Sequence, residues 1–108
     1  MTVRGTLLIA LAGLVLASAS PCAAEPTTHT VTIEGMKFVP ETVTVHRGDR
    51  VAWVNHDVLP HTVTATGGAF DSHDVAPDAT WTYEAREAGN YPYFCTLHTI
   101  MTGRLVVQ

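Results

Sequence analysis

After residue 25, apolar and polar residues alternate with a period of two. Val31 and Ile33 stand between threonines, Val43 and Val45 repeat the pattern, and Val51, Trp53 and Asn55 share one side of the run that begins at Arg50. His61, Val63 and Ala65 form another such set, as do Trp81 with Tyr83, and Tyr91 with Tyr93 and Cys95. Successive side chains of a strand leave opposite faces, so each set predicts a half-buried β-strand. Turn residues punctuate the runs at Arg47-Gly48-Asp49, Gly67-Gly68 and Ala88-Gly89-Asn90. Short strands spaced in this way predict an all-β fold, a β-sandwich. With no repeat or low-complexity tract, residues 25–108 form a single small domain.

Parity then places particular side chains. Cys95 lies in step with Tyr93 and Tyr91, and His61 in step with Val63, so both point inward at one pole of the sandwich, under a rim of loops. A cysteine at the end of a strand is usually a small buried apolar residue, and a single methionine is usually core. The run Cys95-Thr-Leu-His98-Thr-Ile-Met101, with Pro60-His61 upstream, is more specific than its parts. One tight turn would aim a thiolate, an imidazole and a thioether at a common point, and His61 would add the second imidazole from another segment. Two His, one Cys and a weak Met form the donor set of a blue-copper centre. Such a set leaves no open position for a substrate, which argues against an enzyme.

The N-terminus reads differently. Arg4, the apolar run from Leu7 to Leu16 and the small residues at Ala23-Ala24 have the anatomy of a secretory signal peptide. The run falls short of the roughly 20 apolar residues a membrane span needs. Residues 1–24 are therefore expected to be the leader, with cleavage after Ala24 and Ala19 as the competing boundary. Cys22 departs with the leader, which leaves Cys95 as the only thiol in a compartment where disulfides are common. Arg4 departs too, so five basic residues face all ten acidic ones. This balance argues against a nucleic-acid partner, which requires a basic face.

Gly89-Asn-Tyr-Pro-Tyr-Phe-Cys95 followed by a C-x2-H-x2-M turn resembles the short ligand loop of the amicyanin branch of the cupredoxins, the family that also includes plastocyanin and pseudoazurin. Trp53-Val-Asn55-His-Asp-Val-Leu-Pro60-His61 is similar to that family's first-histidine segment, and Met36-Lys37-Phe38 to an early strand. The similarity extends over nearly all of residues 28–108, with Leu97 and Thr99 where amicyanins carry prolines. The resemblance implies a cupredoxin (plastocyanin-like) domain over 25–108, a Greek-key β-sandwich holding one type 1 Cu(I)/Cu(II) ion at one pole on His61, Cys95, His98 and Met101. It also implies that Asn55 ties the two ligand loops together through Thr96, and that a backbone hydrogen bond reaches the Cys95 sulfur.

The function implied is a monomeric periplasmic electron carrier, with no membrane span after processing. Its partners would be redox proteins (a dehydrogenase, a cytochrome c or an oxidase) docking on an apolar rim of Leu59, Pro60, Leu97 and Ile100 at the edge of His98. Copper buffering or delivery is the alternative. His29, His46, His56 and His73 read as surface residues, and Phe94 as sheet-surface packing or a flank contact.

Overall fold

The computed structural model describes residues 2, 5, 9–14 and 25–108. Most of the expected leader, including Arg4, Cys22 and both proposed cleavage boundaries, lies outside the described residues. Among the described residues no helix is long and apolar enough to cross a membrane.

Among the described residues eight strands follow in chain order: β1 (Thr28–Glu34), β2 (Lys37–Val39), β3 (Thr42–Val45), β4 (Arg50–Asn55), β5 (Thr64–Ala65), β6 (Thr80–Glu84), β7 (Gly89–Phe94) and β8 (Thr102–Val107). They form two four-stranded sheets in the orders β2-β1-β4-β6 and β3-β8-β7-β5. Within them β1 runs parallel to β4 and β3 parallel to β8, while the other neighbours are antiparallel. The predicted inward sets are the core: Val31, Ile33, Val43, Val45, Val51, Trp53, Val63 and Tyr93 are buried between the sheets. Trp81, Tyr83 and Tyr91 are half-buried and pack against it.

Two differences from the sequence reading have physical causes. Strand β8 was not among the predicted runs, because Leu105-Val106-Val107 is continuously apolar and shows no alternation, although only Leu105 and Val107 are buried. The expected strand from His61 to Ala65 keeps a ladder only at Thr64 and Ala65. Ahead of these, the chain is held by single contacts: His61 bridges Val75, and the Val63 N–H donates to Ser72 Oγ at 2.7 Å. This leaves the backbone beside His61 free to curve over the pole.

The β1–β2 turn is made by Gly35 and Met36, both with positive φ (60° and 59°). A two-residue hairpin of this type matches the twist of the strands it joins. Glycine takes such a φ freely, whereas methionine does so only when its surroundings hold it there.

At the opposite end of β4 from Asn55, Asp49 closes the sandwich. Its carboxylate accepts from the N–H of Thr27 (3.0 Å), from the N–H of His46 (3.0 Å) and from the His29 ring at 2.9 Å. His29 is thus a half-buried partner of Asp49 and not the plain surface residue expected. The Thr27 hydrogen bond first, then those of His29 and His46, draw Asp49 from 3.8 to about 2. A carboxylate depressed on folding stabilises the native state above its unfolded value, and the contribution is lost as pH falls through the folded one. The copper-free protein is therefore expected to lose stability progressively between pH 4 and pH 2, and Asp49→Asn to flatten part of that slope. Urea midpoints measured across the range check it; identical pH profiles for the two proteins would contradict it.

Candidate metal centre

Cys95 is the first residue beyond β7, and the chain from there to Met101 forms a closed loop. The Cys95 N–H donates to the Met101 carbonyl at 3.1 Å and the Met101 N–H to the His98 carbonyl at 2.9 Å. These two bonds explain why so short a turn holds its shape. His61 arrives from the other sheet's side of the pole, at the end of the segment that follows β4. Its ring and that of His98 lie 5.0 Å apart, centre to centre.

Three predicted donors meet here. His61 Nδ1 is 3.7 Å from Cys95 Sγ, His98 Nδ1 is 3.9 Å from the same sulfur, and the two nitrogens are 3.2 Å apart. An ion in one plane about 2.0 Å from two imidazole nitrogens and about 2.3 Å from a thiolate requires donor separations of about 3.5–3.7 Å. The observed separations of 3.2, 3.7 and 3.9 Å bracket that requirement, so small side-chain shifts would bring the three atoms to it. His61 and Cys95 are fully buried and His98 is half-buried, so only one of the three reaches solvent. Met101, the fourth residue predicted, is buried within the same loop, 2 % exposed.

Asn55 does not play the role the resemblance implied. Its amide donates to the carbonyls of Leu59 and Val75, both at 2.9 Å, and its oxygen accepts from the Asp57 N–H. It therefore shapes the loop that delivers His61 and makes no bond to Thr96. Thr62 links the two loops instead. Its Oγ1 accepts from the Thr96 N–H at 2.8 Å and lies 3.1 Å from Thr96 Oγ1. The Thr62 N–H also points at Cys95 Sγ, 3.3 Å away, which is the expected backbone contact to the sulfur. Thr62 was missed because it is an ordinary strand-forming residue; its only sequence cue is its place directly after His61.

Asp57 was also missed. One carboxylate oxygen accepts from the Gly35 N–H at 2.7 Å, and the other from Met36 N–H at 3.0 Å and from His61 Nε2 at 2.9 Å. Burial opposes its ionisation, but the hydrogen bonds from Met36, Gly35 and His61 prevail and hold its carboxyl below the usual range. No periodicity marks it, since residues 56–60 belong to no strand.

The two loops that carry the candidate donors also carry exposed apolar side chains. Val58 and Ile100 are almost wholly exposed, and Leu59 and Leu97 about half. Pro60 is exposed too, so each of the four residues that the sequence assigns to a rim is exposed, as is Val58. His56, His46 and His73 are exposed, as expected, while Phe94 is half-buried.

Residues 6–107 match the family model for a cupredoxin-like domain. Among curated proteins, the chain is 39 % identical over 83 residues to an amicyanin of Paracoccus versutus, covering 72 % of this chain and 63 % of that one. It is 34 % identical over 84 residues to a chloroplastic plastocyanin of Tetradesmus obliquus, covering 66 % of this chain and 58 % of that one. The match thus spans less than two thirds of the length of these relatives. Among solved structures, it is similar to a Cu(I) amicyanin mutant at a TM-score of 0.71 and 29 % identity, covering 75 % of this chain and 82 % of that one. It is similar as well to an oxidized amicyanin mutant, at a TM-score of 0.70 and 29 % identity, covering 74 % of this chain and 81 % of that one.

Proposed function

Because the chain belongs to the cupredoxin-like family, we propose that it is a single-electron carrier whose mononuclear type 1 copper would be held by His61, Cys95 and His98, with Met101 as a weak fourth donor. The observation that carries this reading is the convergence of His61 Nδ1, Cys95 Sγ and His98 Nδ1 from two loops at one buried pole. A thiolate with two imidazoles suits both Cu(I) and Cu(II), and bound copper supplies the one-electron couple. That relatives of known structure include both oxidized and Cu(I) amicyanins supports the cycling.

The chain's own part is to hold its donors still. Asn55 sets the approach of His61, Thr62 ties the two ligand loops and donates its N–H to the sulfur, and the Cys95–Met101 backbone bond closes the turn. Donors fixed in this way need little movement when the charge on the ion changes. Filled donor positions leave nowhere for a substrate, consistent with a carrier and not an enzyme. His98, the one half-exposed member of the triangle, is the route by which electrons enter and leave. The rim of Val58, Leu59, Pro60, Leu97 and Ile100 would seat a redox partner there, since exposed apolar patches of this kind are docking surfaces. The leader and the single mature thiol support a periplasmic location, with residues 25–108 as the working domain.

The test is electron exchange with copper retention. The copper-loaded protein is cycled against a soluble cytochrome c in the presence of a Cu(I) chelator. A carrier exchanges electrons over many cycles and keeps its metal; transfer of copper to the chelator on the same timescale would point to copper handling. Ile100→Glu should slow the bimolecular step about tenfold while leaving the potential unaltered, a loss equivalent to about 1.4 kcal/mol of docking free energy. An unchanged rate would move docking away from this rim.

A further inference from the structure

Asp57 joins His61 to the β1–β2 turn, and this is a contact with consequences for the metal. Three hydrogen bonds converge on its carboxylate, two from consecutive backbone N–H groups of the turn and one from the His61 ring. The two backbone donors fix the carboxylate in space, and the turn presents them together because Gly35 and Met36 both adopt positive φ. The carboxylate in turn has a defined hold on Nε2 of a ring that is fully buried. A carboxylate accepts and cannot donate, so Nε2 carries the hydrogen. Nδ1 is then left with its lone pair free, and Nδ1 is the atom that faces Cys95 and His98.

We infer that Asp57 is a positioning residue of the metal centre, which fixes the His61 tautomer with Nδ1 toward the ion and makes that imidazole a stronger donor to Cu(II) than to Cu(I). The inference rests on the copper reading above and adds to it a carboxylate–histidine–metal relay that begins in the β1–β2 hairpin. An imidazole whose N–H leans on a carboxylate is more electron-rich than one leaning on a carbonyl or water, and loss of such partners typically lowers metal affinity about 10- to 100-fold. The more highly charged ion gains more from a richer donor, so Asp57 should hold the potential down. Its charge and its geometry can be separated by substitution. An amide keeps one acceptor oxygen for His61 and Met36 but turns an N–H against that of Gly35. Alanine leaves the buried Nε2–H with no acceptor.

The experiment compares wild type, Asp57→Asn and Asp57→Ala as copper-loaded proteins, with Cu(II) and Cu(I) affinities taken by competition and potentials by voltammetry. Asp57→Ala is expected to lose at least tenfold more affinity for Cu(II) than for Cu(I), which raises the potential by about 59 mV for a one-electron couple. Asp57→Asn should fall between it and the wild type. A second readout does not depend on the variants folding: in wild-type Cu(I) protein, nitrogen–proton correlation should show the His61 proton on Nε2 and slow to exchange. An Nδ1–H tautomer there, or equal potentials in wild type and a folded Asp57→Ala, would overturn the inference and leave the copper reading standing. A wild type that takes up no copper would instead remove the reading on which it rests.

Discussion

Cys95→Ser is expected to abolish the intense visible colour of the copper-loaded protein and leave only weak ligand-field absorption. In the proposed site the thiolate is the one strongly covalent donor, and sulfur-to-copper charge transfer needs its filled orbitals at short range. A serine hydroxyl is a hard, weakly acidic donor that cannot take its place. The fold should survive the change. Cys95 is fully buried and its sulfur meets the Thr62 N–H, a contact that a hydroxyl oxygen can also accept. Placing a hydroxyl in that pocket costs about 1–3 kcal/mol. Absorbance and electron paramagnetic resonance read the site, and far-ultraviolet circular dichroism reads the sandwich. A variant as blue as the wild type would show that another residue supplies the sulfur donor.

Gly103→Ala is expected to be the most damaging of the small substitutions outside the donor set. Gly103 stands opposite Tyr93 in the β7–β8 ladder, and the Tyr93 ring lies across it, so that an added Cβ would overlap the ring's Cζ and hydroxyl oxygen. Neighbouring aromatics restrict the ring's retreat. Phe38 meets it edge-on at 4.9 Å, Trp53 at 5.6 Å, and the Trp53 N–H reaches its hydroxyl at 3.3 Å. Burial of that hydroxyl pushes its pKa up to about 12, so it remains a neutral partner for Trp53. Overpacking of this kind costs about 1–3 kcal/mol, and in a domain of this size each kcal/mol lowers Tm by about 4–8 °C. Because Cys95 is two residues beyond Tyr93 on the same strand path, the absorption of the copper form should shift as well. Thermal unfolding of the copper-free variant is the check; a Tm equal to that of the wild type would mean the ring can move aside at no cost.

The sandwich was legible because its strands bury one face each, so a period of two survives in Val31, Ile33, Val51, Trp53 and Tyr93. It failed where that condition fails. Strand β8 ends in an unbroken apolar run with nothing to alternate, and the segment at His61 is held by isolated bridges in place of a ladder. The convergence of the three candidate donors was legible in part: Cys95 keeps the parity of Tyr93 just beyond β7, and the shortness of the turn brings His98 back toward it, whereas His61 lies outside any strand with Thr62 and Val63 buried beside it, so its inward direction comes from the loop and not from parity. What supports them was not. Thr62 and Asp57 act through hydrogen bonds made by irregular backbone, and the assignment to Asn55 of a tie to Thr96 put a real hydrogen-bonding residue in the wrong place. Burial pattern predicts which way a side chain points, but it says nothing of which polar atoms meet across a loop.

The central claim is that four residues from two loops make one type 1 copper site, and titration of the protein with Cu(II) tests it most directly. Absorbance and electron paramagnetic resonance followed together should show an intense blue or green band that grows to saturation at one equivalent of copper. The same spectra should carry the narrowed copper hyperfine splitting of an electron shared with sulfur. A protein that stays colourless at saturating Cu(II), or binds the ion only with the wide splitting of a nitrogen and oxygen site, would contradict the account.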